Sequence, residues 1–212
     1  MLSNVSSPPI GIVGSETGSV YFAGNSRKEM EEQLINLAQM GDGAAAVILA
    51  PDNNDKGARI SHLFYGNLGL GKKSGFSLDF GGSSKPYDDT GLAQFSHDFA
   101  YVKENGLMLF KEGLNTIVEA GIDINEIQWV IPHQANGRMD EVLAPLIKTP
   151  SIKIFKSAHL VGNTGSASIW IALHQLRQSK KLQNGDKVLI LGAEATKFLY
   201  GGFIYHHYED EV

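Results

Sequence analysis

Two strand-like runs that each stop at a proline constrain this fold more than any other feature of the chain. Gly43-Ala44-Ala45-Ala46-Val47-Ile48-Leu49-Ala50 is continuously apolar and ends at Pro51, and Ile127-Gln128-Trp129-Val130-Ile131 ends at Pro132. A short apolar run bounded by turn residues reads as a strand, and the first run reads as one covered on both faces. Helical periods stand between these and other short runs. Met30, Leu34, Leu37 and Ala38 follow a capping-box signature at Ser26-Arg27-Lys28-Glu29, with Gly41 placed to end the helix. A second period runs from Asp98 through Val102, Phe110, Leu114, Ile117 and Val118 to Gly121. Further helices are expected from Gly137 to Ile147 and from Gly165 to Lys180, the latter with Ile169, Ala172, Leu173 and Leu176 inward. Ile10–Gly14, Arg59–Tyr65, Ile152–Phe155, Lys187–Leu191 and Phe203–His206 read as the remaining strands. Residues 66–98 have weak periodicity and read as a long loop. Alternating strands and helices predict an α/β class with a mixed sheet, whose sites lie where strands end in Gly- or Asn-bearing turns.

Composition narrows the function. Apolar residues make up 42% of the 212, enough for a substantial core, and the formal charge is −5. That balance argues against general nucleic-acid or anionic-membrane binding. No run approaches the roughly eighteen apolar residues of a membrane span, and the first residues lack the basic end and apolar centre of a signal peptide. A cytoplasmic protein is the expected reading. The chain contains no cysteine, so it has no disulfide framework and no thiolate metal site.

Two strand ends carry polar groups suited to chemistry. Pro132-His133-Gln134-Ala135-Asn136 follows one apolar run, and Gly162-Asn163-Thr164-Gly165 precedes a helix. Side-chain N–H donors from His133 and Asn163, aimed at one oxygen, would stabilise an enolate or a tetrahedral oxyanion. The same two residues also read as groups that merely satisfy local turns. His206 and His207 are adjacent on a strand and point to opposite faces, so they do not chelate together. His62, His97, His159 and His174 show no metal-ligand spacing. Gly66-Asn67-Leu68-Gly69-Leu70-Gly71-Lys72 nearly matches a phosphate loop but is followed by Lys73 where Ser or Thr should bind magnesium.

Read together, Gly41-Asp42-Gly43-Ala44-Ala45-Ala46-Val47, Trp129-Val130-Ile131-Pro132-His133-Gln134-Ala135-Asn136 with Arg138, and Gly162-Asn163-Thr164 resemble β-ketoacyl-acyl-carrier-protein synthase III, a thiolase-fold condensing enzyme. The resemblance covers the latter two-thirds of that family's pattern. It implies a five-layered αβαβα sandwich, here its C-terminal half plus the last strands of the N-terminal half. Residues 1–98 would hold the end of the first half with connecting loops, and residues 99–212 the second half. In such enzymes a cysteine in the first half takes an acyl group from a thioester. By resemblance, His133 and Asn163 are the catalytic pair that grips a malonyl thioester as carbon dioxide leaves. Arg138, Gln134 and Asn136 fall where coenzyme A or a carrier-protein arm is bound. No cofactor or metal is implied. The family's glycine-rich turn is represented by Ala195-Thr196-Lys197-Phe198-Leu199-Tyr200-Gly201, with backbone amides expected to remain available.

The resemblance places the nucleophile-bearing segment ahead of Ile10, so a cysteine-bearing ketosynthase subunit is the expected partner, in a heterodimer or heterotetramer. The strands at Ile10–Val13 and Ala44–Leu49 would otherwise expose apolar faces and unpaired edges. The alternative is a catalytically silent subunit that stabilises or shapes an active ketosynthase.

Overall fold

The computed structural model describes residues 8–19, 34–51, 57–78 and 95–209. Its centre is a five-stranded mixed sheet in the order β3-β9-β8-β6-β7. The strands are β3 (Arg59–Asn67), β6 (Trp129–Pro132), β7 (Lys153–Ile154), β8 (Lys187–Glu194) and β9 (Leu199–His206). β6 runs parallel to both β7 and β8, and β9 runs antiparallel to β8 and β3.

Alternation along these strands builds two cores. Val130, Leu189, Leu191 and Ile204 face helices α2 (Phe99–Glu119) and α3 (Met139–Ile147), where Phe110, Ile117, Met139, Leu143 and Ile147 close the layer. Trp129, Ile131, Val188, Ile190, Phe203 and Tyr205 face α5 (Ser168–Gln178) and its Ala172, Leu173 and Leu176. Helix α2 starts at Asp98, whose side chain accepts the Tyr101 N–H at 3.0 Å. It stops at Gly121, which takes the left-handed conformation (φ 82°) that a residue with Cβ adopts at a cost. Its packed stripe is Leu109, Phe110, Gly113 and Ile117, so Val118, expected inward, lies one position past the stripe and is 55% exposed.

The far side of α5 carries a second, smaller sheet. β1 (Ile10–Thr17) and β2 (Asp42–Leu49) form an antiparallel pair from Ile10↔Leu49 to Thr17↔Asp42. One face packs down: a Cβ on Gly43 would meet Thr164 Cγ2 at 3.0 Å and Ile171 Cδ1 at 3.1 Å. Helices α2 and α3, the large sheet, α5 and this hairpin thus make successive α, β, α and β layers.

The opposite face of the hairpin is bare. Val13 and Ile48 lie on it and are 73% and 75% exposed. The expectation of a β2 strand covered on both faces is therefore corrected: one face rests on α5, and among the described residues none covers Val13 and Ile48 on the other.

Other differences are local. The first helix is α1 (Leu34–Gln39), and the capping box expected at Ser26–Glu29 lies outside the described residues. Gly41 does not provide a left-handed cap. It is required because a Cβ there would stand 2.0 Å from Val161 O. Within the expected loop at 66–98, β4 (Phe76–Leu78) pairs with β5 (Phe95–His97), and residues 79–94 lie outside the described ones. β3 belongs by number to the first of the two expected parts, yet it hydrogen-bonds to β9 of the second, so the two parts share one sheet. A single-turn helix, α4 (Ala158–Val161), has too few residues to show a period in the sequence. No helix among the described residues is long and apolar enough to cross a membrane.

Candidate active site

β6 delivers His133 to the end of the large sheet. Pro132, opposite Leu191, closes the strand, and the His133 N–H then donates to Leu191 O at 2.6 Å. The imidazole Nδ1 lies 3.1 Å from the hydroxyl of Ser168. Burial pushes the His133 imidazole down to about 4, against an upward pull from the Glu194 carboxylate. The ring is therefore neutral at pH 7 and can donate through one nitrogen while accepting at the other.

Asn163 sits in a turn between α4 and α5. Its N–H donates to Gln39 O at 2.7 Å, and its carbonyl accepts the Gly41 N–H at 2.9 Å. These bonds pin it to the lead-in of β2. Its Oδ1 accepts the Gly165 N–H at 3.1 Å, which leaves the NH2 as the end not used in the turn. His133 and Asn163 are thus linked through one short segment, because Ser168, the neighbour of the imidazole, begins the helix that the Asn163 turn leads into.

The three residues expected to bind substrate behave differently from one another. Gln134 is fully buried. Its Nε2 donates to Pro132 O at 2.7 Å, and its Oε1 accepts the Ser157 N–H at 2.7 Å. A side chain with no surface and both polar ends spent on backbone braces the strand end and does not meet a ligand, which corrects that expectation. Asn136 Oδ1 accepts the Arg138 N–H at 2.8 Å and so shapes the entry to α3. Arg138 is exposed and grips Glu141 through Nε at 3.0 Å to both carboxylate oxygens. Asn136, Arg138, Glu141, Val142 and Gln39 line a hollow of about 530 Å3. Gln39 is also the residue whose carbonyl holds Asn163, so this hollow borders the Asn163 turn.

Two residues that sequence reasoning passed over complete the arrangement. Ser168 is one; the signal was a hydroxyl at a helix start just after the Asn163 turn. Glu194 is the other, at the end of β8. Its carboxylate accepts the N–H groups of Thr196 at 2.5 Å and Lys197 at 3.0 Å. The turn is stapled from outside: Leu68 N–H donates to Phe198 O at 2.9 Å and Gly75 N–H to Ala195 O at 3.0 Å. The expectation that the amides of this turn remain available is corrected for these two, which their own glutamate holds. Among the described residues, no group of three or more His, Asp or Glu side chains is placed to hold a metal ion.

Residues 117–205 match the family model described as 3-oxoacyl-(acyl-carrier-protein) synthase III C terminal. The β-ketoacyl-acyl-carrier-protein synthase III of Vesicomyosocius okutanii is 31% identical over 194 residues, which are 91% of this chain and 56% of the relative. Acetoacetyl CoA synthase NphT7 of a Streptomyces species is 34% identical over 161 residues, 72% of this chain and 47% of that one. The chain thus spans about half the length of the curated relatives it matches. The structure of 3-oxoacyl-(acyl carrier protein) synthase III from Pseudomonas aeruginosa superposes with a TM-score of 0.75 at 21% identity, over 96% of this chain and 59% of that one, which shows the shared fold. Residues 117–205 thus match the C-terminal domain of the ketosynthase III family, and the chain as a whole is similar in sequence and fold to the C-terminal portion of those thiolase-fold condensing enzymes.

Proposed function

We propose that this chain supplies the His133 and Asn163 donor pair for the decarboxylative condensation of a malonyl thioester, with the acyl group carried on the cysteine of a partner subunit. The observation that carries the reading is a neutral, partly buried imidazole at a strand end, 3.1 Å from Ser168 at the start of the helix that the Asn163 turn leads into. In the reaction, the bond between the malonyl methylene and its carboxylate breaks and carbon dioxide leaves. The electron pair moves onto the thioester oxygen, where two N–H donors stabilise it. The enolate carbon then attacks the acyl thioester, and the cysteine sulfur departs as thiolate. These 212 residues contain no cysteine, so the nucleophile is held outside them. The bare face of the hairpin with Val13 and Ile48 supports a partner that packs over the small sheet, in a heterodimer or heterotetramer. Malonyl-coenzyme A and malonyl-carrier protein are both compatible donors, and the hollow at Asn136 and Arg138 is the proposed lane for the pantetheine arm. Arg138 would exchange Glu141 for a phosphate there.

A second reading, a catalytically silent subunit that stabilises or shapes an active ketosynthase, is favoured by Glu194, whose carboxylate holds amides that an oxyanion would use. One experiment separates the two. The chain is co-expressed with a cysteine-bearing partner, and condensation of acyl-coenzyme A with malonyl thioester is followed in wild type and His133→Ala. A loss of roughly 10²–10³ in rate is expected of a lost oxyanion donor. Unchanged condensation in His133→Ala would establish the silent role instead.

A further inference from the structure

We propose that Ser168 is a positioning residue for His133: its hydroxyl donates to Nδ1 and so fixes the imidazole proton on Nε2. The inference rests on the reading that His133 meets the thioester oxygen, and it adds which of its nitrogens does so.

The geometry begins with burial. Ser168 is the first residue of α5 and is 1% exposed. Its hydroxyl carries one proton, and a buried donor left without an acceptor is costly. Among the described residues, the hydrogen-bond partner of Ser168 Oγ is His133 Nδ1, at 3.1 Å. Two arrangements satisfy that distance. If Nδ1 carried the proton it would donate to Oγ, and the serine proton would then be stranded in an enclosed site. If Nδ1 carries the lone pair, the serine donates to it and nothing is stranded. The second arrangement is the stable one, and it places the remaining ring proton on Nε2.

The consequence is chemical. As the carbon–carbon bond of the malonyl group breaks, charge grows on the thioester oxygen. A protonated Nε2 presents a donor to that oxygen, whereas the other tautomer presents a lone pair and repels it. No proton is transferred in this step, and the pair returns to carbon when the new bond forms. Ser168 also ties the two donors together. The backbone of His133 is fixed on Leu191 O, and its ring is fixed on the helix that grows from the Asn163 turn. A shift of that turn therefore moves both donors at once.

The test has two arms. In the first, the full chain is labelled with 15N histidine and the His133 ring resonances are read at pH 7. The expected result is an unprotonated Nδ1 and a protonated Nε2 in wild type, with that pattern weakened in Ser168→Ala. A protonated Nδ1 in wild type would overturn the proposal, whatever the variants do. In the second arm, the complex with the cysteine-bearing partner is assayed. Ser168→Ala should lower kcat for condensation roughly tenfold with KM for the malonyl thioester little changed, and Ser168→Thr, which keeps the hydroxyl, should recover most of it. Equal loss in both variants would mark a packing role and overturn the proposal. If His133→Ala leaves condensation unchanged, the catalytic reading fails, while the resonance arm still decides the tautomer.

Discussion

The two sheets of this molecule are built from similar apolar strands but are held in opposite ways. In the large sheet, Val130, Ile131, Val188, Leu189 and Ile190 are all buried, because helices cover both faces. In the hairpin, Ala45 and Val47 are half-buried against α5 while Val13 and Ile48 on the other face stand open. Strand formation needs only pairing and one covered face. Stability of the whole needs both, since each buried apolar side chain contributes about 1.5–3 kcal/mol. The large sheet thus has both faces packed, whereas among the described residues the hairpin has one. The His133 and Asn163 site lies between them, its histidine fixed to the first and its asparagine to the lead-in of the second.

The sharpest way to break this contrast is to empty the large sheet. Leu143 is fully buried on the α3 side. Leu143→Ala should destabilise the chain by about 2–5 kcal/mol through lost transfer energy and the cavity left behind. Urea unfolding followed by circular dichroism measures it. A cost under about 1 kcal/mol would mean that this core is loose and that the contrast between the sheets is false.

Acid should weaken the same end of the sheet by a smaller amount. His133 is held down to about 4 by burial, below its ordinary value of 6.5. The folded state therefore binds fewer protons than the unfolded state between those values, so stability is complete above pH 6.5 and is lost as pH falls toward 4. The expected loss between pH 7 and pH 5 is about 2 kcal/mol from His133 alone. Burial pushes His97 and His206 in the same direction. The ion-paired carboxyls of Asp98 and Asp140 are held below their ordinary value, so their titration falls outside this window. His133→Gln should flatten most of the slope from pH 7 to pH 5. A slope that survives that substitution would assign it to the other two histidines.

The sequence carried much of this because some signals are local. Asp98 and Gly121 bracket α2 through a cap and a left-handed stop, both decided within a few residues. Pro132 ends β6 for the simple reason that it has no N–H, which put His133 at a strand mouth. What stayed hidden depends on distant partners. Gln134 reads as a polar residue in a motif, and only the Ser157 N–H, far along the chain, turns it into a buried brace. Glu194 reads as an ordinary strand-end acid, and only the fold of the next turn shows its carboxylate taking two amides. The run at 43–50 shows that the strand is apolar but not that only one of its faces is packed among the described residues. Gly41 looked like a helix stop because glycine commonly is one, whereas its reason is the backbone of Val161 pressed against it.

The smallest expected effect is the one that tests the hairpin directly. Val13 and Ile48 share the bare face, being on the strand positions opposite Ala46 and Gly11. Val13→Ser and Ile48→Ser remove apolar surface that is already in water, so each should change the unfolding free energy of the isolated chain by no more than about 0.5 kcal/mol. The same substitutions should weaken association with a cysteine-bearing partner, because there the methyl groups would leave water. Titration of the partner onto wild type and the two variants, alongside urea unfolding of each variant alone, measures both quantities on one pair of proteins. A destabilisation above about 2 kcal/mol in isolation would show that the chain itself covers this face in solution. The hairpin would then be an ordinary part of the core, and the reason for seeking a partner on that side would be gone.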